Sequence, residues 1–162
     1  MSDQVAVMKN GRFEQVAPPE ELYREPATPF VAGFVGDNNR LSGEVVTLAD
    51  NMADIRLDNG EVVRGRLAAN ELSSGDRAEL YVRPESLMFT GEALKDGFCA
   101  MQAKVLTTLF DGANSRVEAE NGGQPVFARL PQDGTAPRLT TGAEIRLAWD
   151  PKLARVYGAG QS

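Results

Sequence analysis

"SGDRAELYVRPESLMF" at residues 74–89 and "TGAEIRLAWDPKLARVY" at residues 141–157 are two versions of one plan. Each opens on a glycine turn, runs through a strand of alternating apolar and polar residues, and meets a proline, Pro84 in one copy and Pro151 in the other. Alternation at period two buries one face of a strand, and proline, lacking an N–H, ends the ladder. Upstream, "GEVVTL" (43–48) has a counterpart in "AKVLTT" (103–108), and Val82 falls on the anchoring Trp149. The chain therefore reads as two related β lobes, about 40–90 and 101–158. A polar connector, "TGEALKDGF", joins them, and the extra residues of the second copy fall in a loop, "LPQDGTAPRL". Short strands at about ten-residue spacing predict small Greek-key barrels in a mainly β fold, the oligonucleotide/oligosaccharide-binding (OB) type being one candidate, which would give two tandem OB-like lobes.

Ahead of the lobes, "VAVMKNGRFEQV" (5–16) is a hairpin by pattern, because Asn10-Gly11 supplies the positive φ of a tight type I′ turn. Asn59-Gly60, between "ADIRL" and "EVVRG", predicts another by the same chemistry. Pro18-Pro19 followed by Glu20-Glu21 marks a helix start, and Pro26 ends that helix. Thr28-Pro29 predicts a second short helix, with Phe30, Val31, Phe34 and Val35 on one face and Gly36 as its C-cap. The division expected is a hairpin-and-helix segment at 1–39 and a β domain at 40–162.

With 162 residues, 42% of them hydrophobic, the chain can bury one core or two small ones. Its 17 Lys+Arg against 23 Asp+Glu, a net charge of -6, repel phosphate backbones, so nucleic acid is not an expected partner. The absence of histidine removes Ser-His and Cys-His pairs, and a single cysteine, Cys99, excludes an internal disulfide and a thiolate metal cluster. No metal site is expected. No apolar run reaches membrane-spanning length and no signal peptide pattern is present, which predicts a soluble cytoplasmic chain.

The stretch from Ser2 to Val45 closely resembles the end of the ATPase domain of ABC-importer ATP-binding subunits and the lead into their C-terminal domain. Pro19-Glu20-Glu21-Leu22-Tyr23, Pro26-Ala27-Thr28, Phe30-Val31-Ala32, Phe34, Gly36, Asn39, Leu41 and Gly43 all fit that pattern. Arg83-Pro84-Glu85 after a β run matches the signature of the TOBE domain appended to those ATPases. "GDNNRLSGEV" and Trp149-Asp150-Pro151 look most like the polyamine (spermidine/putrescine) branch, with ferric-iron and sugar importers as competitors. Ala17-Pro18 stands where the family often has a threonine N-cap.

The resemblance implies a non-catalytic regulatory and dimerisation domain of a solute importer. Nothing fits G-x-x-x-x-G-K-[ST], so ATP and Mg would belong to a parent subunit and no cofactor to this chain. "LSGE" (41–44) has the letters of the family's signature motif, but Val45-Val46 make it a strand. The implied partners are a second copy, the parent's ATPase domain, the permease subunits indirectly and a small-molecule effector. The implied location is the inner face of the cell membrane. The opening hairpin would lie at the edge of a sheet whose other strands are absent, so its backbone groups need the chain's own lobes or another copy, which predicts a dimer, one that could exchange this segment. A stand-alone small-ligand (oxyanion) binder and a nucleic-acid-binding barrel are the alternatives from other classes.

Candidate ligand- or partner-binding residues are Arg83 and Glu85, whose simpler reading is a local ion pair beside the proline turn. Asp111 and Gly112 mark a turn where some relatives bind oxyanions through loop amides, and a plain turn is the simpler reading. Asp50, Asp54, Asp58 and Glu61 read as a cation site or, more simply, as a solvated acidic surface. Trp149 and Phe110 are expected in the core, and Cys99 as an inert small residue.

Overall fold

The computed structural model describes residues 4–28, 31, 38–68, 72–89, 94, 97–111, 114–129 and 140–158. It opens on a two-stranded antiparallel sheet, β1 (Val5–Lys9) and β2 (Arg12–Ala17). Asn10 (φ 53°) and Gly11 (φ 78°) both take the positive φ that the tight turn requires. Helix α1 (Pro19–Arg24) follows and buries Leu22 with Val7, Ala17 and Val31 in a small core of its own. The other face of the hairpin leaves Met8, Phe13 and Val16 about half exposed or more. Most of the second expected helix, residues 29–36, lies outside the described residues, as do the 130–139 loop and most of the 90–98 connector.

The two lobes are present, and they exchange their last strands. β3 (Asn39–Ala49), β4 (Met52–Leu57), β5 (Val62–Leu67) and β6 (Arg77–Val82) form four staves of a closed barrel. The fifth is β12 (Ala154–Gly158), parallel to β5 and antiparallel to β6. After β6, a 3-10 turn at Pro84–Ser86 sends β7 (Met88–Phe89) out of that barrel and onto β11 of the second sheet. There the order is β10 (Gln124–Arg129), β9 (Asn114–Asn121), β8 (Cys99–Asp111), β11 (Glu144–Trp149), β7. The turn at Pro151–Leu153 then sends β12 back. One apolar cluster accordingly runs through both lobes, from Leu41, Ile55 and Leu80 to Met101, Leu147 and the fully buried Trp149.

The repeat holds in detail. β3 shifts register between Val45 and Thr47, and β8 does so between Val105 and Thr107. Val45 exchanges backbone bonds with Asp76 and Gly75, and Val105 does the same with Ala143 and Gly142, all at 2.8 Å. The extra residue bends β3 around the closed barrel and β8 within the second sheet. Gly43 lies where β3 crosses β4 so closely that an added Cβ would fall 2.4 Å from Ile55 Cγ2 and 2.5 Å from the Arg56 carbonyl oxygen.

Turn chemistry corrects one expectation. Asn59-Gly60 does connect β4 and β5, but only Gly60 has positive φ (93°), so the turn is not type I′. Gly60 N–H bonds the Leu57 carbonyl, making a type I turn closed by a left-handed glycine. Asn59 stays out of the left-handed region because its side chain is used locally, accepting from Glu61 N–H at 3.0 Å and donating to Glu61 Oε1 at 2.7 Å. The tight turn with two positive φ angles in this lobe is Asp50-Asn51, between β3 and β4.

Candidate functional site

The first 3-10 turn follows from its residues: Pro84 cannot extend the β6 ladder, and the Ser86 N–H closes on the Arg83 carbonyl at 2.9 Å. This places Arg83 and Glu85 on either side of a tight bend, facing α1. They converge on one residue, Tyr23. Arg83 donates from Nη2 to the Tyr23 carbonyl at 3.1 Å and lays its guanidinium over the Tyr23 ring, 3.9 Å from the centroid. The Tyr23 hydroxyl donates to Glu85 Oε2. Burial and then the Glu85 carboxylate raise the Tyr23 pKa, so the hydroxyl stays protonated and a donor.

Two further contacts fasten the same segment. The Tyr157 hydroxyl donates to the Pro26 carbonyl at 2.7 Å, and Arg66 pairs with Glu25 at 2.9 Å. Arg66, by hydrogen bond and then by charge, holds the Glu25 carboxyl below its usual range. Beside these contacts lies a groove of about 800 Å³, walled by α1 (Glu21, Tyr23, Arg24) and by Arg66, Arg83 and Leu153 of the barrel. A smaller cavity of about 20 Å³ shares Tyr23, Arg24, Arg83 and Leu153 with it and reaches inward to Tyr81, Arg155 and Tyr157. Arg83 is only 7% exposed, and the Arg155 Nε is buried without a hydrogen-bond partner. Burial is the main cause that raises the pKa of Tyr81 and Tyr157, which keeps both phenols neutral.

The acidic cluster of the first lobe disperses. Asp54 pairs with Arg64 at 2.7 Å and Asp58 with Arg77 at 3.7 Å, while Asp50 sits in the β3–β4 turn. Glu61 instead crosses to the second lobe, accepting from the Gln102 N–H at 3.0 Å and from Asn121 Nδ2 at 3.0 Å. Among the described residues no group of three metal-ligating side chains converges. Asp111 ends β8 opposite Asn114, away from Arg83 in the sequence of strands, and its side chain and Gly112 lie outside what is described, as does the Phe110 side chain. Cys99 lies at the lobe boundary, where its thiol reaches the Arg64 carbonyl at 3.6 Å; the Trp149 indole N–H donates to the same oxygen at 3.0 Å. Burial pushes the Cys99 thiol up to about 12.

Sequence reasoning singled out Arg83 and Glu85 but missed Tyr23, Tyr81, Arg155 and Tyr157. The available signal was clustering of arginine and tyrosine, "LYR", "YVR" and "ARVY", in segments far apart in sequence, the last of which joins the others only through the exchange of β12.

Residues 80–156 match the TOBE domain family. Over 98% of its length the chain is 36% identical to the spermidine/putrescine import ATP-binding protein of Rubrobacter xylanophilus, covering 41% of that protein. Over its full length it is 32% identical to the sulfate/thiosulfate import ATP-binding protein of Brucella melitensis, again covering 41%. The chain thus spans about two fifths of the length of these curated relatives. Among solved structures, the cytoplasmic molybdate-binding protein ModG superposes with a TM-score of 0.62 at 17% identity, over 73% of this chain and 94% of that one, a likeness of fold. The chain carries a TOBE domain at residues 80–156 and is similar along nearly its whole length to about two fifths of import ATP-binding proteins of this kind.

Proposed function

We propose that this chain supplies the non-catalytic regulatory and dimerising part of an importer ATP-binding subunit, and that the imported solute is a polyamine. The observation that carries the reading is similarity along nearly the whole chain to import ATP-binding proteins, with a spermidine/putrescine protein at 36% identity and a sulfate/thiosulfate protein at 32%. Two structural features support it. The half-exposed apolar face of the opening hairpin, Met8, Phe13 and Val16, is suited to lie against more protein, in this reading the ATPase domain. The grip of Arg83 and Glu85 on Tyr23 ties that hairpin segment to the barrel, so a ligand or second copy that shifts the barrel shifts the segment with it. Such coupling is limited to the differential affinity of the ligand for the two arrangements. ATP, Mg, the permease and the inner membrane face enter only through the ATPase domain.

Disrupting the gene in the source cells and following uptake of labelled spermidine, putrescine and sulfate tests the reading. Selective loss of polyamine uptake, restored by the intact gene, is expected; selective loss of sulfate uptake would move the solute assignment, and unchanged uptake of all three would end it. A second reading is favoured by the fold likeness to ModG, a molybdate-binding protein: the lobes bind a small oxyanion. Calorimetric titration of the chain with molybdate and with spermidine separates the two.

A further inference from the structure

We infer that the small cavity between α1 and the barrel is a binding site for a phosphoryl group, carried by free phosphate or by a small phosphate monoester whose remainder lies in the adjoining groove. The inference does not rest on the transport reading. Three guanidinium groups, Arg24, Arg83 and Arg155, line the cavity together with the neutral phenols Tyr81 and Tyr157 and the amide Asn38. No carboxylate lines it among the described residues. Glu25 and Glu85 lie nearby but are engaged, Glu25 by Arg66 and Glu85 by the Tyr23 hydroxyl. Arg24 pairs with Glu20 on the solvent side, both side chains 73% exposed.

Guanidinium groups gathered at one cavity repel one another, and the buried Arg155 Nε–H has no acceptor. A dianion seated there removes both costs, because phosphate oxygens accept at once from guanidinium forks and from the Tyr81 phenol, the Tyr157 proton staying with the Pro26 carbonyl. The cavity, about 20 Å³, takes one small group, and it shares four walls with the groove of about 800 Å³, which leaves room for a ligand body against Leu153. Arg83 and Tyr157 also hold Tyr23 and Pro26, so an occupant would sit on the contacts that fasten α1 to the barrel.

The test is calorimetric titration of the full chain, in phosphate-free buffer, with inorganic phosphate, glycerol 3-phosphate and glycerol. Both phosphoryl compounds should bind and glycerol should not, and Arg155→Met should weaken binding about tenfold or more. Equal affinity for the two assigns the site to free phosphate, and tighter binding of the ester assigns it to a phosphorylated metabolite; either supports the site. Should Arg155→Met fail to fold, Tyr81→Phe is the second variant, with binding expected about threefold weaker. Absence of heat with either phosphoryl compound up to about 10 mM, equal binding of glycerol, or affinities unchanged in a folded variant would overturn the proposal.

Discussion

Gln124 and Glu61 stand at equivalent places in the two lobes and meet the same need by different chemistry. Gln124 holds Ser42 by both backbone groups, Oε1 accepting from the N–H at 2.7 Å and Nε2 donating to the carbonyl at 3.3 Å. Glu61 faces Gln102, the counterpart of Ser42 in β8, and as a carboxylate it can only accept. Asn121 supplies the missing donor, Nδ2 bonding both the Gln102 carbonyl and Glu61 Oε1, and its own Oδ1 is left buried without a partner.

Glu61→Ala should therefore destabilise the protein by about 1–3 kcal/mol, since it strands the Gln102 N–H and Asn121 at the lobe boundary. Glu61→Gln should cost less than Glu61→Ala, because its Oε1 can keep the Gln102 N–H while Nε2 turns to the Gln102 carbonyl, as Gln124 does at Ser42. Urea unfolding followed by the fluorescence of buried Trp149 measures both; equal loss in the two variants would refute the donor argument.

Arg83→Met should loosen the hairpin segment without opening the barrels. It removes the donor to the Tyr23 carbonyl and the cation over the ring, a local loss of about 1–3 kcal/mol. Amide exchange should quicken in β1, β2 and α1 and remain slow in β4 and β8, whereas uniform quickening would show that Arg83 supports the whole fold.

Cys99 should resist thiol reagents in the native protein at pH 8, since its pKa near 12 leaves almost no thiolate. Full reactivity should appear on unfolding in urea. Rapid labelling of the folded chain would contradict the burial that raises the thiol.

Gly43→Ala should cost about 1–3 kcal/mol or more, because the new methyl meets the Arg56 backbone and Ile55 closer than atoms approach. Gly65→Ala should cost less, since its nearest neighbours stand farther off, at 3.1–3.2 Å, and two of the three, on Val156 and Leu80, are side-chain ends that can give while Ala154 Cβ cannot. Melting temperatures of the two variants, compared with the parent, give the order.

Acid should weaken the join between α1 and β5. The Glu25 carboxyl is lowered in the folded protein by Arg66, so its contribution is present above its usual value of 4.5 and is lost as pH falls through the lowered value. The pair is exposed, which makes the effect small and salt-sensitive. Nuclear magnetic resonance of the Arg66 Nε–H should show a titration below pH 4.5 that Glu25→Gln abolishes.

Much of this fold is legible because two halves state it twice. The glycine turn, the alternating strand and the proline recur, and the structure places both copies in β6 and β11 with a 3-10 turn after each. The exchange is not legible, because β7 and β12 leave equivalent turns and nothing local in "LMF" or "ARVY" says which sheet will accept them. The site suffers from the same gap. Arg83 and Glu85 announce themselves beside a proline, but Tyr23 lies sixty residues away in sequence from Arg83, and Arg155 arrives only with the exchanged strand. At Asn59-Gly60 the dipeptide is right for a hairpin, and the side-chain bonds to Glu61 decide the turn type.

Because β12 is the fifth stave of the first barrel, that barrel keeps two raw edges, on β5 and on β6, until Gly158 has left the ribosome. The first half cannot finish folding ahead of the second, so closure waits on pairings that span most of the chain, which slows folding and lengthens the time in which sticky edges are bare. Loss of the last few strand residues would accordingly be felt first in the middle of the sequence, at β5 and β6, as a failure of the earlier barrel rather than the later sheet.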